Sequence, residues 1–402
     1  MKRVAPEKAS CCGCGACANV CPKHAITMQP DSEGFVYPVV EDTLCVDCGL
    51  CVTACSIDKE RESSTFAQGY AAAQHNDADV VSVSSSGGLF SALCEQVLAQ
   101  NGVIYGVRFD EAFRVCHARA EIAEDAVRFR GSKYVQSDVG DAMCQAANDL
   151  KDGRLVLFSG TPCQIDGLLC FLKAKRVAIE NLITCDFVCH GVSSPRVWSD
   201  YTAFLAAQNG SLDAFNFRGK ENGWHKYYPF IEAGGQNVSK QYKEKNSYFR
   251  MYCSSVITRP SCYQCRYTSY ERVSDLSLAD FWNIDKAAPE MNDDRGTSQV
   301  LINTAKGQEW FDRCAVTVRS KTCTKEDVWQ PHLEYPTKAP KARAAFWTAY
   351  GTLPFAQVIR RYGHYPFTTK CRHAVMPVIN KLGLYTLAGK LYKLVFVRNK
   401  KQ

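Results

Sequence analysis

Along the middle of this chain the apolar positions switch between two periods. Leu89, Phe90, Leu93, Cys94, Val97 and Leu98 recur at helical spacing, and Gly102 after Asn101 stops the helix they predict. Val103 to Phe109 then reads as a strand. Arg154 to Phe158 is a second short apolar strand, which enters the loop Ser159-Gly160-Thr161-Pro162-Cys163-Gln164 before Ile165 to Leu172 returns to the helical period. The same plan follows at once: Leu182 to Val188 is strand-like, Cys189-His190-Gly191 forms a turn, and Ser194-Pro195 starts a helix through Trp198, Tyr201 and Leu205 to Gly210. Two consecutive strand-loop-helix units predict an α/β domain, whose ligands collect at the carboxyl ends of the strands. Both loops bear a cysteine.

Outside this region the pattern changes. Asp58 to Ser64 is polar and charged and reads as a linker. Towards the end, Leu382, Leu384, Leu387, Leu391, Leu394, Val395 and Val397 are interleaved with Lys381, Lys390, Lys393, Arg398, Lys400 and Lys401. Such a stripe suits a basic amphipathic helix on an anionic membrane, and equally a helix packed on the main domain. The chain divides into a head at 1–58, a linker at 59–68, two parts of one larger domain at 69–150 and 151–335, and a basic, mostly helical tail at 336–402.

The head is organised by cysteines. Cys11, Cys14, Cys17 and Cys21 are followed by Pro22, and Cys45, Cys48, Cys51 and Cys55 repeat their spacing 34 residues later. Each run is the C-x2-C-x2-C-x3-C of a bacterial two-cluster ferredoxin, in which the fourth cysteine of one run ligates the other cluster. On that rule Cys11, Cys14, Cys17 and Cys55 hold one 4Fe-4S cluster, and Cys45, Cys48, Cys51 and Cys21 hold the second. Zinc also accepts four thiolates, but two interleaved runs of this form are the ferredoxin pattern. Cys12 is surplus beside Cys11, and Ser56 stands where the first run has Pro22.

Composition agrees with redox work in a reducing compartment. The 402 residues include 22 cysteines, which suits reduced thiols in an anaerobic cytoplasm better than a disulfide framework. Residues 1–30 lack the apolar core of a signal peptide, and no apolar run is long enough to span a membrane. The net charge of +7 comes without any helix-turn-helix, zinc-finger or RNP pattern, so nucleic acid is not an expected partner.

Cys262 and Cys265 form a further C-x2-C after Arg259-Pro260. With Cys163 and Cys189 they amount to four thiolates, enough for a third 4Fe-4S cluster, although buried core thiols or a reactive Cys163 at a helix start use the same residues. Several runs decide the resemblance: Ser84-Ser85-Ser86-Gly87-Gly88-Leu89-Phe90, Gly131-Ser132-Lys133-Tyr134-Val135-Gln136-Ser137, Gly160-Thr161-Pro162-Cys163-Gln164, Val188-Cys189-His190-Gly191, Arg259-Pro260-Ser261-Cys262-Tyr263-Gln264-Cys265, and Ser274 to Trp282. Over roughly residues 1–315 the chain resembles the coenzyme F420 hydrogenase/dehydrogenase beta-subunit family, in the form with a fused ferredoxin head.

That resemblance implies a flavoprotein oxidoreductase: FAD beside a 4Fe-4S cluster, moving electrons between iron-sulfur centres and a hydride-carrying partner such as coenzyme F420, or another metabolite, for instance a glycan-related one. A non-catalytic electron-transfer subunit is the alternative. Cys163, Cys189, Cys262 and Cys265 match the family's cluster ligands, with Cys185 and Cys253 as weaker competitors. Within the matching runs, Ser85, Ser86, Gly87, Gly88, Lys133, Tyr134, Ser137, Gly160, Thr161 and Gly191 are assigned to the flavin, and His190 and Lys133 to catalysis. Gly87 and Gly88 would offer backbone amides to a pyrophosphate, or simply cap the following helix. His190 would relay a proton or support a cluster ligand. Arg218, Lys220, Gly223 and Trp224 resemble a segment that takes an anionic substrate. No G-x-G-x-x-G opens a helix after a strand, so any flavin site is not of the dinucleotide-fingerprint kind. The expected partner is a redox protein, with membrane contact only through the tail.

Overall fold

A computed structural model describes Val4, residues 6–57, Lys59, Phe66, residues 68–242 and residues 246–364. In the head, β1 (Ile26–Pro30) and β2 (Val36–Val40) pair antiparallel, and two five-residue helices, Ala16–Val20 and Leu50–Ala54, flank them. Both helices start after a left-handed glycine, Gly15 at φ 80° and Gly49 at φ 75°, and end on the fourth cysteine of the run, Cys21 or Cys55. The duplicated spacing is therefore a duplicated turn. Glycine is needed there because a side chain resists positive φ.

The remaining strands are β3 (Gly69–His75), β4 (Val103–Phe109), β5 (Val115–Ala120), β6 (Val156–Ser159), β7 (Leu182–Phe187), β8 (Leu212–Gly219), β9 (Tyr228–Ala233), β10 (Gln236–Asn237), β11 (Leu276–Asp280), β12 (Ser298–Ile302) and β13 (Val318–Thr322). Eight of them form one sheet in the order β13-β3-β12-β11-β7-β6-β4-β5. Its centre, β4 to β11, is parallel, and the flanking pairs are antiparallel. The segments 69–150 and 151–335 thus build one sheet together, since β4 pairs with β6 and β3 lies between β12 and β13.

The first expected unit is β6 followed by the helix Pro162–Lys175, and the second is β7 followed by Pro195–Asn209, capped by Ser194. The second helix does not return to the sheet. It leads into a small three-stranded sheet, β10-β9-β8, because Trp198, Tyr201 and Leu205 bury in an aromatic core with Phe215, Phe217, Ile231 and Tyr248. The parallel neighbour of β7 is instead β11, far along the chain.

The head is not a separate bead. Ala16, Val20 and Ala54 share a core with Val139, Met143, Phe158, Ile165 and Leu168 of the larger domain. Small residues on the head let the helix Pro162–Lys175 come close, and Gly167 takes this furthest: a Cβ there would lie 2.7 Å from the Cys14 sulfur. From the other side, the helices Arg343–Thr352 and Phe355–Tyr362 pack on the aromatic core through Phe346, Val358 and Ile359. Trp347 covers Cys11, Phe35 and Tyr37, and the Arg343 Nη1 donates to Glu33 at 2.8 Å. That part of the tail is helical and docked on the protein. The stripe Lys381–Lys401 and the polar run Glu60–Ser64 lie outside the described residues. Among the described residues no helix is long and apolar enough to cross a membrane.

Glycine inside a helix costs about 1 kcal/mol relative to alanine, so Gly167 is kept for closeness. Gly167→Ala is expected to destabilise the docked head by about 1–3 kcal/mol through overpacking against Cys14. The check is the thermal midpoint and iron retention of anaerobically purified protein; values equal to wild type in both would mean that the head does not seat on this helix.

Candidate functional site

The head thiols fall into two groups. Cys17 has Cys11, Cys55 and Cys51 as neighbours, and burial, followed by Cys11 and Cys55, pushes it up to about 12. Cys14 adjoins Cys17. Cys21 lines one small cavity together with Cys45, Cys48 and Cys51, and Cys48 is exposed. The fourth cysteine of each run therefore lies with the other run's thiols, one group facing inward and one near the surface.

At the carboxyl end of β6, Thr161 caps the helix Pro162–Lys175 in a reciprocal box with Gln164. That cap fixes Cys163 in the first turn, where its sulfur lies 3.1 Å from the Thr161 hydroxyl. After β7, the Gly191 amide donates to the Cys189 sulfur at 3.3 Å. A Cβ on Gly191, whose φ is 118°, would meet the Cys262 Cβ at 3.2 Å. Cys262 and Cys265 come from the turn Pro260–Gln264 and its end, with the Cys262 amide on the Arg259 carbonyl at 3.0 Å. The four thiols converge. Cys189 is raised by burial and then by Cys262 and Cys265, burial pushes Cys262 up to about 12, and Cys163 has Cys12 and Cys265 beside it. Buried neutral thiols pressed together are thiolates only when metal holds them. Among the described residues no three His, Cys, Asp or Glu side chains close on a single metal ion, so these groups do not have the tight sulfur shell of zinc, with ligands about 2.3 Å from the ion.

Cys185 is excluded from this group. It is buried in the sheet's core with Cys94 and Cys314, its thiol on the Asp186 carbonyl at 3.8 Å, while Cys253 is exposed. Cys12, surplus in the spacing, has a place instead: its thiol touches those of Cys14 and Cys163.

The run Gly131–Ser137 links this site to a neighbouring cleft. At its far end the Gln136 amide donates to the Cys12 carbonyl at 3.1 Å and its oxygen accepts from Arg259 at 2.8 Å. The Ser137 hydroxyl accepts from Gln164 at 2.9 Å. At its near end, Arg128, Arg130, Gly131, Ser132, Lys133 and Asn216 line a cleft of about 440 Å³ with Val83, Phe109, Val127 and Phe215.

Several residues expected at a flavin are committed elsewhere. The Gly87 amide is buried and donates to the Ser298 hydroxyl at 3.1 Å, and a Cβ there would lie 2.3 Å from the Ala73 carbonyl. The Ser86 hydroxyl donates to the Thr297 carbonyl at 2.6 Å. The pyrophosphate expectation is corrected for these two: they fasten a loop to β12. Gly88, at φ 85°, caps the helix Leu89–Leu98. Ser85 alone reaches towards the cleft, accepting from the Ser132 amide at 2.7 Å. Gly160, Thr161, Ser137 and Gly191 sit at the cysteine loops.

The Lys133 ammonium donates to the carbonyls of Arg128, Phe129 and Arg130 at 3.1, 3.2 and 2.8 Å. Burial pushes it down to about 7, and with all three hydrogens engaged it caps the turn that floors the cleft. A proton-donor role would require it to leave those carbonyls. His190 packs edge-on against His332 at 4.3 Å and near Tyr252 at 5.4 Å. Burial pushes His190 down to about 4, so it is neutral near pH 7, and its Nε2 is buried with no partner among the described residues.

Of the four residues expected for an anion, one has free donors. Lys220 gives all three hydrogens to the carbonyls of Val81, Ser86 and Arg295. Gly223 makes room for Asp294, and Trp224 is buried with its Nε1 on Asp280 at 3.3 Å. Arg218 is 2% exposed and paired with Asp280 at 2.9 Å. Its guanidinium lies 3.6 Å from the centre of the Tyr227 ring and 3.4 Å from the Tyr134 hydroxyl. Its Nε and Nη2 are buried without a partner among the described residues. Sequence reasoning missed Tyr227, Tyr252 and the pairing with Asp280, which no local spacing signals.

Comparison with known proteins follows the same division of the chain. Residues 153–327 match the family described as the C terminus of the coenzyme F420 hydrogenase/dehydrogenase beta subunit, and residues 10–58 match the 4Fe-4S dicluster domain. Pyruvate synthase subunit PorD of Thermotoga maritima is 70% identical over 23 residues, 6% of this chain and 23% of that subunit. The match thus spans less than a quarter of that relative's length. A chain of the F420-reducing NiFe hydrogenase complex from Methanosarcina barkeri aligns at a TM-score of 0.42 and 15% identity, covering 65% of this chain and 85% of that one. With its ferredoxin head and its beta-subunit domain joined on one polypeptide, the chain belongs to the coenzyme F420 hydrogenase/dehydrogenase beta-subunit family and is an iron-sulfur electron-transfer protein of the oxidoreductase type.

Proposed function

We propose that this chain carries single electrons through two head clusters to a third 4Fe-4S cluster at Cys163, Cys189, Cys262 and Cys265, and exchanges them in pairs with an organic hydride carrier through FAD. The observation that carries this reading is the contact of Cys12 with both Cys14 and Cys163, which makes the inner head site and the third site neighbours. FAD, when bound, supplies the conversion between one-electron and two-electron transfer. Arg128 and Arg130 would take its phosphates at the cleft. Arg218 would meet an anionic edge of the ring system with its two unpartnered donors, beside the faces of Tyr134 and Tyr227. The cleft has the size of an ordinary ligand site, which runs from about 300 to 1,000 Å³. Neutral His190, between Tyr252 and His332, is the group suited to hold or pass a proton there.

The hydride carrier would be coenzyme F420 or another metabolite, including a glycan-related one. A second reading is that the chain serves as the electron-transfer subunit of a larger complex. It is favoured by the exposed Cys48 and by Leu44 and Val46, which are 51% and 58% exposed beside it; apolar side chains around an outer redox site suit a protein partner.

Anaerobically purified wild-type protein is expected to carry about twelve iron atoms per chain. Cys163→Ser should lose about a third of them and disturb the flavin, whereas Cys14→Ser should leave the flavin bound. Equal iron in wild type and Cys163→Ser would mean that the third cluster does not exist. Arg218→Gln should weaken FAD retention by about tenfold, the loss of one charged hydrogen bond, measured by equilibrium dialysis; unchanged retention would move the flavin elsewhere. Mixing the isolated chain with reduced coenzyme F420 and following its absorbance tests the carrier. No exchange with coenzyme F420, but reduction of viologen dyes inside a reconstituted complex, would favour the subunit reading.

A further inference from the structure

Arg259 is 0% exposed, and among the described residues no carboxylate is paired with it. Its Nε donates to the Cys11 carbonyl at 2.9 Å, its Nη1 to the Gln136 oxygen at 2.8 Å and its Nη2 to the Val36 carbonyl at 3.0 Å. The guanidinium also faces the Tyr37 ring at 4.4 Å. Its own carbonyl accepts from the Cys262 amide at 3.0 Å. A Cβ on Gly13, between Cys12 and Cys14, would lie 2.9 Å from its Nη1. One residue thus holds the loops of the inner head site and of the third site together, and its cation lies against the head loop.

A fully buried guanidinium cannot shed its proton, and burying it without an anion costs several kcal/mol even with neutral acceptors. All its hydrogen-bond partners here are neutral. The missing counter-charge is supplied by the iron sites themselves, because four thiolates make a 4Fe-4S site net negative and reduction makes it more so.

We infer that Arg259 is the fixed positive charge that holds the inner head cluster and the third cluster at raised reduction potential and sets the driving force between them. For the third cluster this rests on the function proposed above; for the inner head cluster it rests on the dicluster domain alone. In the step concerned, one electron leaves the inner head cluster, which is oxidised by one, and enters the third, which is reduced by one; no bond forms and no proton moves. Arg259 touches no reacting atom and acts as a positioning and tuning residue.

The test is an anaerobic redox titration of the full-length holoprotein followed by EPR, comparing wild type with Arg259→Gln and Arg259→Lys, after iron analysis of each. In Arg259→Gln the ratio of reduced to oxidised inner head cluster at a fixed potential should fall about tenfold, equivalent to about 59 mV for one electron. The outer cluster at Cys21, Cys45, Cys48 and Cys51 should move much less and serves as the internal reference. Arg259→Lys, which keeps the charge and loses the fork, should stay close to wild type. Unchanged potentials in Arg259→Gln, or a shift in Arg259→Lys as large as in Arg259→Gln, would overturn the inference. If Arg259→Gln fails to assemble its clusters, assembly of Arg259→Lys at wild-type potentials supports it, and failure of both variants overturns it. Wild-type iron of about eight atoms instead of twelve would remove the third cluster while the response of the inner head cluster still decides the role of the charge.

Discussion

Electrons cross between iron sites only when the polypeptide lets those sites approach, and the fold is arranged around that constraint at the seam beneath the head. Ala16, Val20 and Ala54 are small, Gly167 is bare, and Cys14 sits against it. Cys163 and Gly167 are one helical turn apart and so share a face; one meets Cys12 and the other Cys14. The parallel centre of the sheet serves this arrangement, since its carboxyl ends deliver the loops of Cys163 and Cys189 to the same side. Had the head been a tethered bead, the linker would have set the distance between sites. Here a shared hydrophobic core sets it.

What could be read from the sequence was local. The strand Val103–Phe109 and the helices after β6 and β7 announce themselves because periodicity and capping involve residues within a few positions of one another. The cysteine runs of the head are legible for the same reason. Contacts made across long stretches of chain were not: Cys12 looked surplus because its partner Cys163 is remote in sequence, and the side chain of Arg259 binds Cys11 with no spacing to betray it. The departure of the helix Pro195–Asn209 from the sheet was equally hidden, since its apolar stripe fits either a sheet or the aromatic core it uses.

Charged side chains were the least legible. Lys133 and Lys220 read as basic groups awaiting an anion, yet each spends its ammonium on three backbone carbonyls. Polar atoms inside a fold must be satisfied somewhere, and a lysine can close a turn as readily as it can hold a phosphate. The informative cations are those left unsatisfied, as Arg218 is, or left without a matching carboxylate, as Arg259 is.

The docking of the last described helices on the head has a temporal side. Trp347 covers Cys11, and Arg343 grips Glu33, so residues made late in synthesis close over thiols made at its start. At about 5–20 residues per second, the head emerges from the ribosome roughly tens of seconds before Trp347 exists. During that interval Cys11 has no lid, and iron and sulfide can be delivered to an open site. The C-terminal helices then act as the cover fitted after loading.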